Sequence, residues 1–239
     1  MGVIDLHIHT SKSPCGLHSL LEILELAREK GMSMVAITDH DVAPGHAIRV
    51  FSYRFPPTWK GLRVLKGIEL SIRDGGKLRI PPAIQIQDLD LCLAGFHPDG
   101  RTTRNNPKAC IEDLGSLLAR YPFIDILTHP FIKGFELEPE PCADLIAQHG
   151  AAVEVNNSAL RYGKENPDKL LALLALCKAR RIPVAVNSDT HAADELGNDQ
   201  EALGLLAQAD FPEDLILNAS AERVLSFIES RRARKTNQS

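Results

Sequence analysis

Aromatic residues are scarce: Phe, Tyr and Trp supply 5% of the 239 residues, so a core must be packed from aliphatic side chains. No apolar stretch approaches the about 18 residues that a membrane-spanning helix needs, and the opening MGVIDLHIHT lacks the basic flank and long apolar core of a signal peptide. Cysteine is sparse and odd in number. Cys15, Cys92, Cys110, Cys142 and Cys177 form no C-x-x-C pair, which argues against a disulfide framework and for reduced thiols in a cytoplasmic protein. Basic charge is not in excess: 27 Lys and Arg face 31 Asp and Glu, a net charge of −4, so no global field favours nucleic acid. Repeats, low-complexity tracts and linkers are also missing. The expectation is one domain over 1–239, with a frayed basic tail from about residue 233.

What the chain has is aliphatic punctuation. Hydrophobic residues make up 44%, and Val-, Ile- and Leu-rich runs recur at 3–8, 34–38, 64–70, 91–96, 124–128, 152–155 and 183–186. Each reads as a buried parallel strand. Helical patterns fall between them, at 46–53, 111–120, 142–148, 167–180, 201–209 and 221–232. Another opens at Ser19 with Glu22 completing a capping box, and it stops at Gly31. Asp74-Gly75-Gly76 predicts a hairpin turn inside an excursion over 71–90. Seven strands, each followed by a helix or loop, imply an α/β barrel-like fold with one strand fewer than the usual eight.

Metal-binding residue types sit at the ends of these runs: His7, His9, Cys15, His40, Glu69, His97, His129, Asp189 and His191. In such a barrel the C-terminal ends of the strands face one shared pocket, so ligands far apart in sequence converge. His7 and His9 are two apart on a strand and share a face, and Asp189 and His191 repeat the spacing. A glutamate on an apolar strand is costly unless paired or ligating. For Glu69, bridging two metals answers that cost. His97 and His129 each precede proline, in F-H-P and T-H-P. His18 and His149 read as ordinary helix-end residues, whereas His46, six residues beyond His40, is a candidate substrate contact.

Taken together, D-L-H-I-H-T (5–10), A-I-T-D-H (36–40), G-I-E (67–69), G-F-H-P (95–98), T-H-P (128–130), E-V-N-N-S (154–158) and N-S-D-T-H (187–191) resemble the PHP (polymerase and histidinol phosphatase) family over essentially the full length. The G-F-H and N-N-S segments and D-F-P-E-D-L-I-L-N (210–218) look most like its stand-alone phosphatase branch. The resemblance implies a distorted (β/α)7 barrel holding two or three divalent transition metal ions, zinc, manganese or iron. It implies one metal on His7, His9, Glu69 and Asp189, a second on Glu69, His97 and His129, and a third on His40, His191 and the residue at position 15. There the sequence departs from the family, which commonly has histidine or a carboxylate. Cys15 offers a softer thiolate, which favours zinc or iron over magnesium.

The function expected is metal-dependent hydrolysis of a phosphate monoester of a small molecule. Attack comes from a hydroxide bridging the metals beside Glu69 in a trinuclear site, with Asp189 and His191 in the catalytic group. Arg161 is the best-placed cation for a phosphate oxygen or a second substrate anion. Asp5 and Asp39 read as supports rather than ligands, and Ser188 has no base to make it a nucleophile. The alternatives are a phosphodiesterase or exonuclease, favoured only by the basic tail, a non-catalytic metal-binding domain, and a metal-dependent amidase or deacetylase. The partner expected is a small phosphorylated substrate, with nucleic acid disfavoured, no membrane, and a homo-oligomer left open.

Overall fold

The apolar runs assemble into one sheet of eight strands: β1 (Ile4–Ile8), β2 (Met34–Ile37), β3 (Thr58–Trp59), β4 (Leu62–Ile72), β5 (Leu91–Phe96), β6 (Ile126–Leu127), β7 (Ala152–Asn156) and β8 (Val184–Asn187). This computed structural model describes residues 4–41, 57–80, 84–98, 105–135 and 137–236. The order is β1-β2-β4-β5-β6-β7-β8, every pair along that path parallel, with β3 an antiparallel addition to β4. The sheet curls until its first and last strands meet. The His9 amide donates to the Thr190 carbonyl at 2.9 Å, and the Thr190 amide to the His7 carbonyl at 3.3 Å. The result is a nearly closed seven-stranded parallel barrel, as the strand pattern predicts.

Helices α1 (Leu20–Glu29), α2 (Pro107–Arg120), α3 (Pro139–His149), α4 (Asn157–Arg161), α5 (Pro167–Arg180), α6 (Gln200–Gln208) and α7 (Ala221–Thr236) accompany it. The α1 capping box forms as expected, and Gly31 takes φ 70. Proline begins α2, α3 and α5, where its missing N–H costs nothing. It thereby starts α2 and α3 several residues earlier than their apolar periodicity suggests. The expected turn at Asp74-Gly75-Gly76 closes an Arg73–Lys77 bridge. The helix expected over 46–53 lies outside the described residues. Among the described residues no helix is long and apolar enough to cross a membrane.

The interior of the barrel divides into two halves. Toward the N-terminal ends of the strands, Ile4, Leu6, Met34, Ala36, Leu65, Leu91, Leu93, Ile126, Ala152 and Ala185 form one aliphatic cluster. Val224 and Ile228 of α7 close it from below. Two residues further along most strands, the same inward face turns polar. The outward face packs on the helices in a larger aliphatic cluster. Burial of that apolar area, at about 25 cal/mol per Å², is what holds a polar upper half in place.

The basic tail is not frayed over 233–236. Helix α7 runs to Thr236, and Arg231 and Lys235 are buried. Arg231 Nε lies 2.7 Å from Asp125 Oδ1 and Lys235 Nζ 2.8 Å from Asp125 Oδ2. Both cations also donate to backbone carbonyls, Lys235 to Asp90 and Arg231 to Pro122 and Ile124. A buried carboxylate and backbone carbonyls thus bury one side of a helix end that reads as solvated, while Arg232 on the same turn stays exposed.

Candidate metal centre

Simple alternation does not by itself bring the ligands inward. On β1, Asp5 pairs with Val35 and Ile8 with Ile37, so one extra residue is inserted in β1. This bulge lets Leu6 join the interior cluster while the next residue, His7, also reaches the interior site. On β6 the parity is again wrong for His129, because Thr128 already faces Glu69. His129 takes φ 27, which swings its ring back to Glu69, and Asp189 takes φ 54. Non-glycine residues rarely occupy that region, and such strain concentrates at functional sites. Gly95 makes room for the ring: a Cβ there would lie 2.6 Å from His129 Cε1 and 2.2 Å from Thr128 Oγ1.

Glu69, fully buried, is the hub. Its Oε2 lies 2.9 Å from His40 Nδ1, 3.2 Å from His7 Nε2 and 3.5 Å from His9 Nε2. Its Oε1 lies 3.1 Å from His129 Nε2 and 3.3 Å from His97 Nε2. Asp189 Oδ1 completes the first set, 3.1 Å from His9 Nε2 and 3.4 Å from His7 Nε2. His9, Cys15, His40 and His191 form a further group whose ligand atoms all lie within 4.8 Å of one another. The His9 ring stands between sets, its centroid 4.4 Å from that of His40 and 4.6 Å from that of His191. All nine expected ligands therefore come to one end of the barrel.

These donors suit transition metals. Despite the crowd around it, Glu69 Oε2 makes no hydrogen bond, nor do either ring nitrogen of His97 or His129 Nδ1, all buried. Buried polar atoms without partners are uncommon, and atoms converging on a shared ion explain them. Electrostatics agree. Burial pushes the Glu69 carboxyl up, but His7, His40 and His97 with the His129 hydrogen bond outweigh it and hold it well below its usual range. Asp189 is likewise lowered against its burial by His7, His9 and His191. Burial lowers His97 and so favours the neutral, ligating imidazole. For the half-buried Cys15 thiol, burial acts upward, but hydrogen bonds with His191 and His40 win and bring it to about 6.

The second tier orients the imidazoles. His7 Nδ1 lies 2.7 Å from Glu154 Oε1, His191 Nδ1 2.8 Å from the Asp189 carbonyl, and His9 Nδ1 3.3 Å from Ser13 Oγ. Each contact fixes Nδ1 and leaves Nε2 for the centre. Asp39, off the ligand set as expected, accepts from the Ser13 hydroxyl at 2.7 Å and the Thr10 amide at 2.7 Å. Ser13 in turn accepts the His40 amide at 2.9 Å. Asp5 accepts the Ser188 hydroxyl, so Ser188 is turned away from any nucleophilic role.

Glu154 escaped the sequence reading as a functional residue. It accepts from Asn156 at 2.9 Å, Asn187 at 2.8 Å and the His129 amide at 3.1 Å, besides facing His7. The signal was available, since a glutamate interrupts the apolar run A-A-V-E-V just as Glu69 interrupts its own. Glu195, which accepts the His191 amide at 2.8 Å, had no such signal. Among the other named residues, Arg161 is exposed at the end of α4, His46 lies outside the described residues, and His18 and His149 join none of the ligand groups.

Comparison with known proteins finds a family, relatives and solved structures of similar fold. The PHP domain family model matches residues 5–96. A protein of Escherichia coli O139:H28 named probable phosphatase YcdX is 33% identical over 95% of this chain and 94% of its own length. Histidinol phosphate phosphatase from Lactococcus lactis, solved with zinc, L-histidinol and phosphate, superposes with a TM-score of 0.64 at 14% identity, over 88% of this chain and 95% of that one. A chain from the structures of Bacillus subtilis YwqE and Streptococcus pneumoniae CpsB, described as metal-dependent tyrosine phosphatases, gives a TM-score of 0.51 at 18% identity, over 99% of this chain and 95% of that one. These two solved structures share its fold.

Proposed function

The chain belongs to the PHP family; we propose that it is a metal-dependent phosphoesterase, that its substrate is a small phosphate monoester and that 1–239 is one domain serving a trinuclear centre. Glu69 carries the reading: its two oxygens face two different sets of imidazoles, the arrangement a bridging carboxylate requires. His7, His9, Glu69 and Asp189 would hold one ion, Glu69, His97 and His129 a second, and Cys15, His40 and His191 a third. His9 and His40 stand close enough to serve neighbouring positions as well. The ions are zinc, manganese or iron, and the Cys15 sulfur favours zinc or iron at the third position. Bound ions supply Lewis acidity toward phosphoryl oxygens and the acidity that makes water a nucleophile at neutral pH.

The chain's own residues do the positioning. Glu154, Ser13 and the Asp189 carbonyl hold three imidazoles in the tautomer that presents Nε2. Burial of His7, His9 and Glu69 keeps bulk water off the hub, where charge interactions are strong. The one feature that favoured a phosphodiesterase is weakened, since two of the basic tail's cations, Arg231 and Lys235, are buried against Asp125. The test is turnover of p-nitrophenyl phosphate against bis-p-nitrophenyl phosphate. The monoester is expected to be preferred, and activity is expected to vanish in His129→Ala and Asp189→Ala while the far-ultraviolet spectrum stays folded. Preference for the diester, or metal-dependent turnover in both variants, contradicts the proposal.

A further inference from the structure

Three cations that make no ion pair among the described residues lie on segments beside this centre. Helix α4 starts directly after Asn156, whose Nδ2 donates to Asp189 Oδ2 at 3.1 Å, and it ends at Arg161. The next residue, Tyr162, is 51% exposed, and its hydroxyl donates to Glu195 Oε1 at 2.9 Å. The other Glu195 oxygen holds the His191 and Ala192 amides at 2.8 and 3.1 Å, so the ring is tied to the loop that carries a metal ligand. Arg161 Cζ and Lys164 Nζ stand 5.6 and 5.5 Å from the Tyr162 ring centroid.

Lys133 approaches from the other side, on the segment that follows His129. Its amide donates to the Lys164 carbonyl at 2.8 Å, and the antiparallel Ile132–Glu165 bridge sets the two lysines opposite each other. Like charges directly opposite in an antiparallel pair destabilise it. Among the described residues none of these three exposed cations makes an ion pair. On the following helix Lys169 does, at 3.2 Å to Glu138. Two cations against an exposed aromatic ring, with a third on the adjoining segment and no ion pair among the described residues, suit a ligand that brings both the anion and an apolar body.

We propose that Lys133, Arg161 and Lys164 with Tyr162 form a subsite for a second anionic group, so that the preferred substrate is a small phosphomonoester also bearing a carboxylate or a second phosphate. This rests on the phosphomonoesterase reading. The centre takes the phosphoryl group, and the rim takes the charge on the remainder of the molecule.

Equilibrium binding separates the two ideas, because non-hydrolysable phosphonates need no turnover. The zinc-loaded full chain is titrated calorimetrically with phenylphosphonate and with para-carboxyphenylphosphonate. The carboxylated ligand is expected to bind about tenfold more tightly, the worth of two or three exposed charge contacts. The Lys133→Gln/Lys164→Gln variant is expected to lose most of that difference, Lys133→Arg/Lys164→Arg to keep it, and raised salt to erode it in the wild type. Equal binding of the two phosphonates by the wild type, or an undiminished difference in the glutamine variant, overturns the subsite. Failure to hydrolyse any monoester would instead count against the phosphatase reading.

Discussion

Glu154 serves four groups at once: the His7 ring, the His129 amide and the side chains of Asn156 and Asn187. A ligand histidine is only as well aimed as the group that holds its other nitrogen, and losing such a partner typically costs about 10–100-fold in metal affinity. Glu154→Gln keeps the size and removes the charge. It is expected to weaken zinc binding within that range in a competition titration, with the fold intact. An affinity within twofold of wild type would show that the carboxylate does not orient His7. At this scale the sequence discloses residue types but not their aim. His7, His9, Glu69 and Asp189 are legible as ligands because each interrupts or ends an apolar run. That His129 needs a left-handed backbone, and that Gly95 is small to clear its ring, follows only from the packing of two neighbouring strands.

Between elements, buried charge separates structure from chemistry. Asp125, just before β6, anchors Arg231 and Lys235 of α7 beneath the barrel, at the opposite end from the ligands. Removing one partner of a buried ionic group is costly, because the remaining charges stay desolvated. Asp125→Ala is expected to lower stability in urea by about 3–5 kcal/mol while leaving the number of bound ions unchanged. Loss of bound metal without loss of stability would contradict this division. Strand and helix positions were readable from periodicity, but not the burial of Arg231 and Lys235, because burial depends on a carboxylate over a hundred residues away in sequence.

Glu165 bridges two segments of the rim, accepting the Phe131 amide at 3.0 Å while its other oxygen is buried without a hydrogen bond. Burial raises its carboxyl to about 8 despite that hydrogen bond. The sign follows from linkage. A carboxyl raised in the folded state contributes stability that is complete below its unfolded value, about 4.3, and is lost as pH rises through about 8. Glu165→Gln cannot ionise, so its stability relative to wild type is expected to grow across that window, by on the order of a few kcal/mol. Urea unfolding of both proteins from acid to mildly alkaline pH measures it, and a difference independent of pH would refute the assignment.

For the whole molecule, one architectural fact governs function. The barrel spends its lower interior on aliphatic packing and its upper interior on ligands, so folding itself gathers residues 7 to 191 into one cluster. The parallel barrel and its rim were legible because most of its strands end at or close to a ligand residue. The bulge in β1 was not, since it depends on the register between two strands. The most direct measurement is turnover of phenyl phosphate by chelator-stripped protein during stepwise return of zinc. The account predicts no turnover when stripped and recovery that saturates at three ions per chain. Full activity in metal-free protein, verified by elemental analysis, would contradict it.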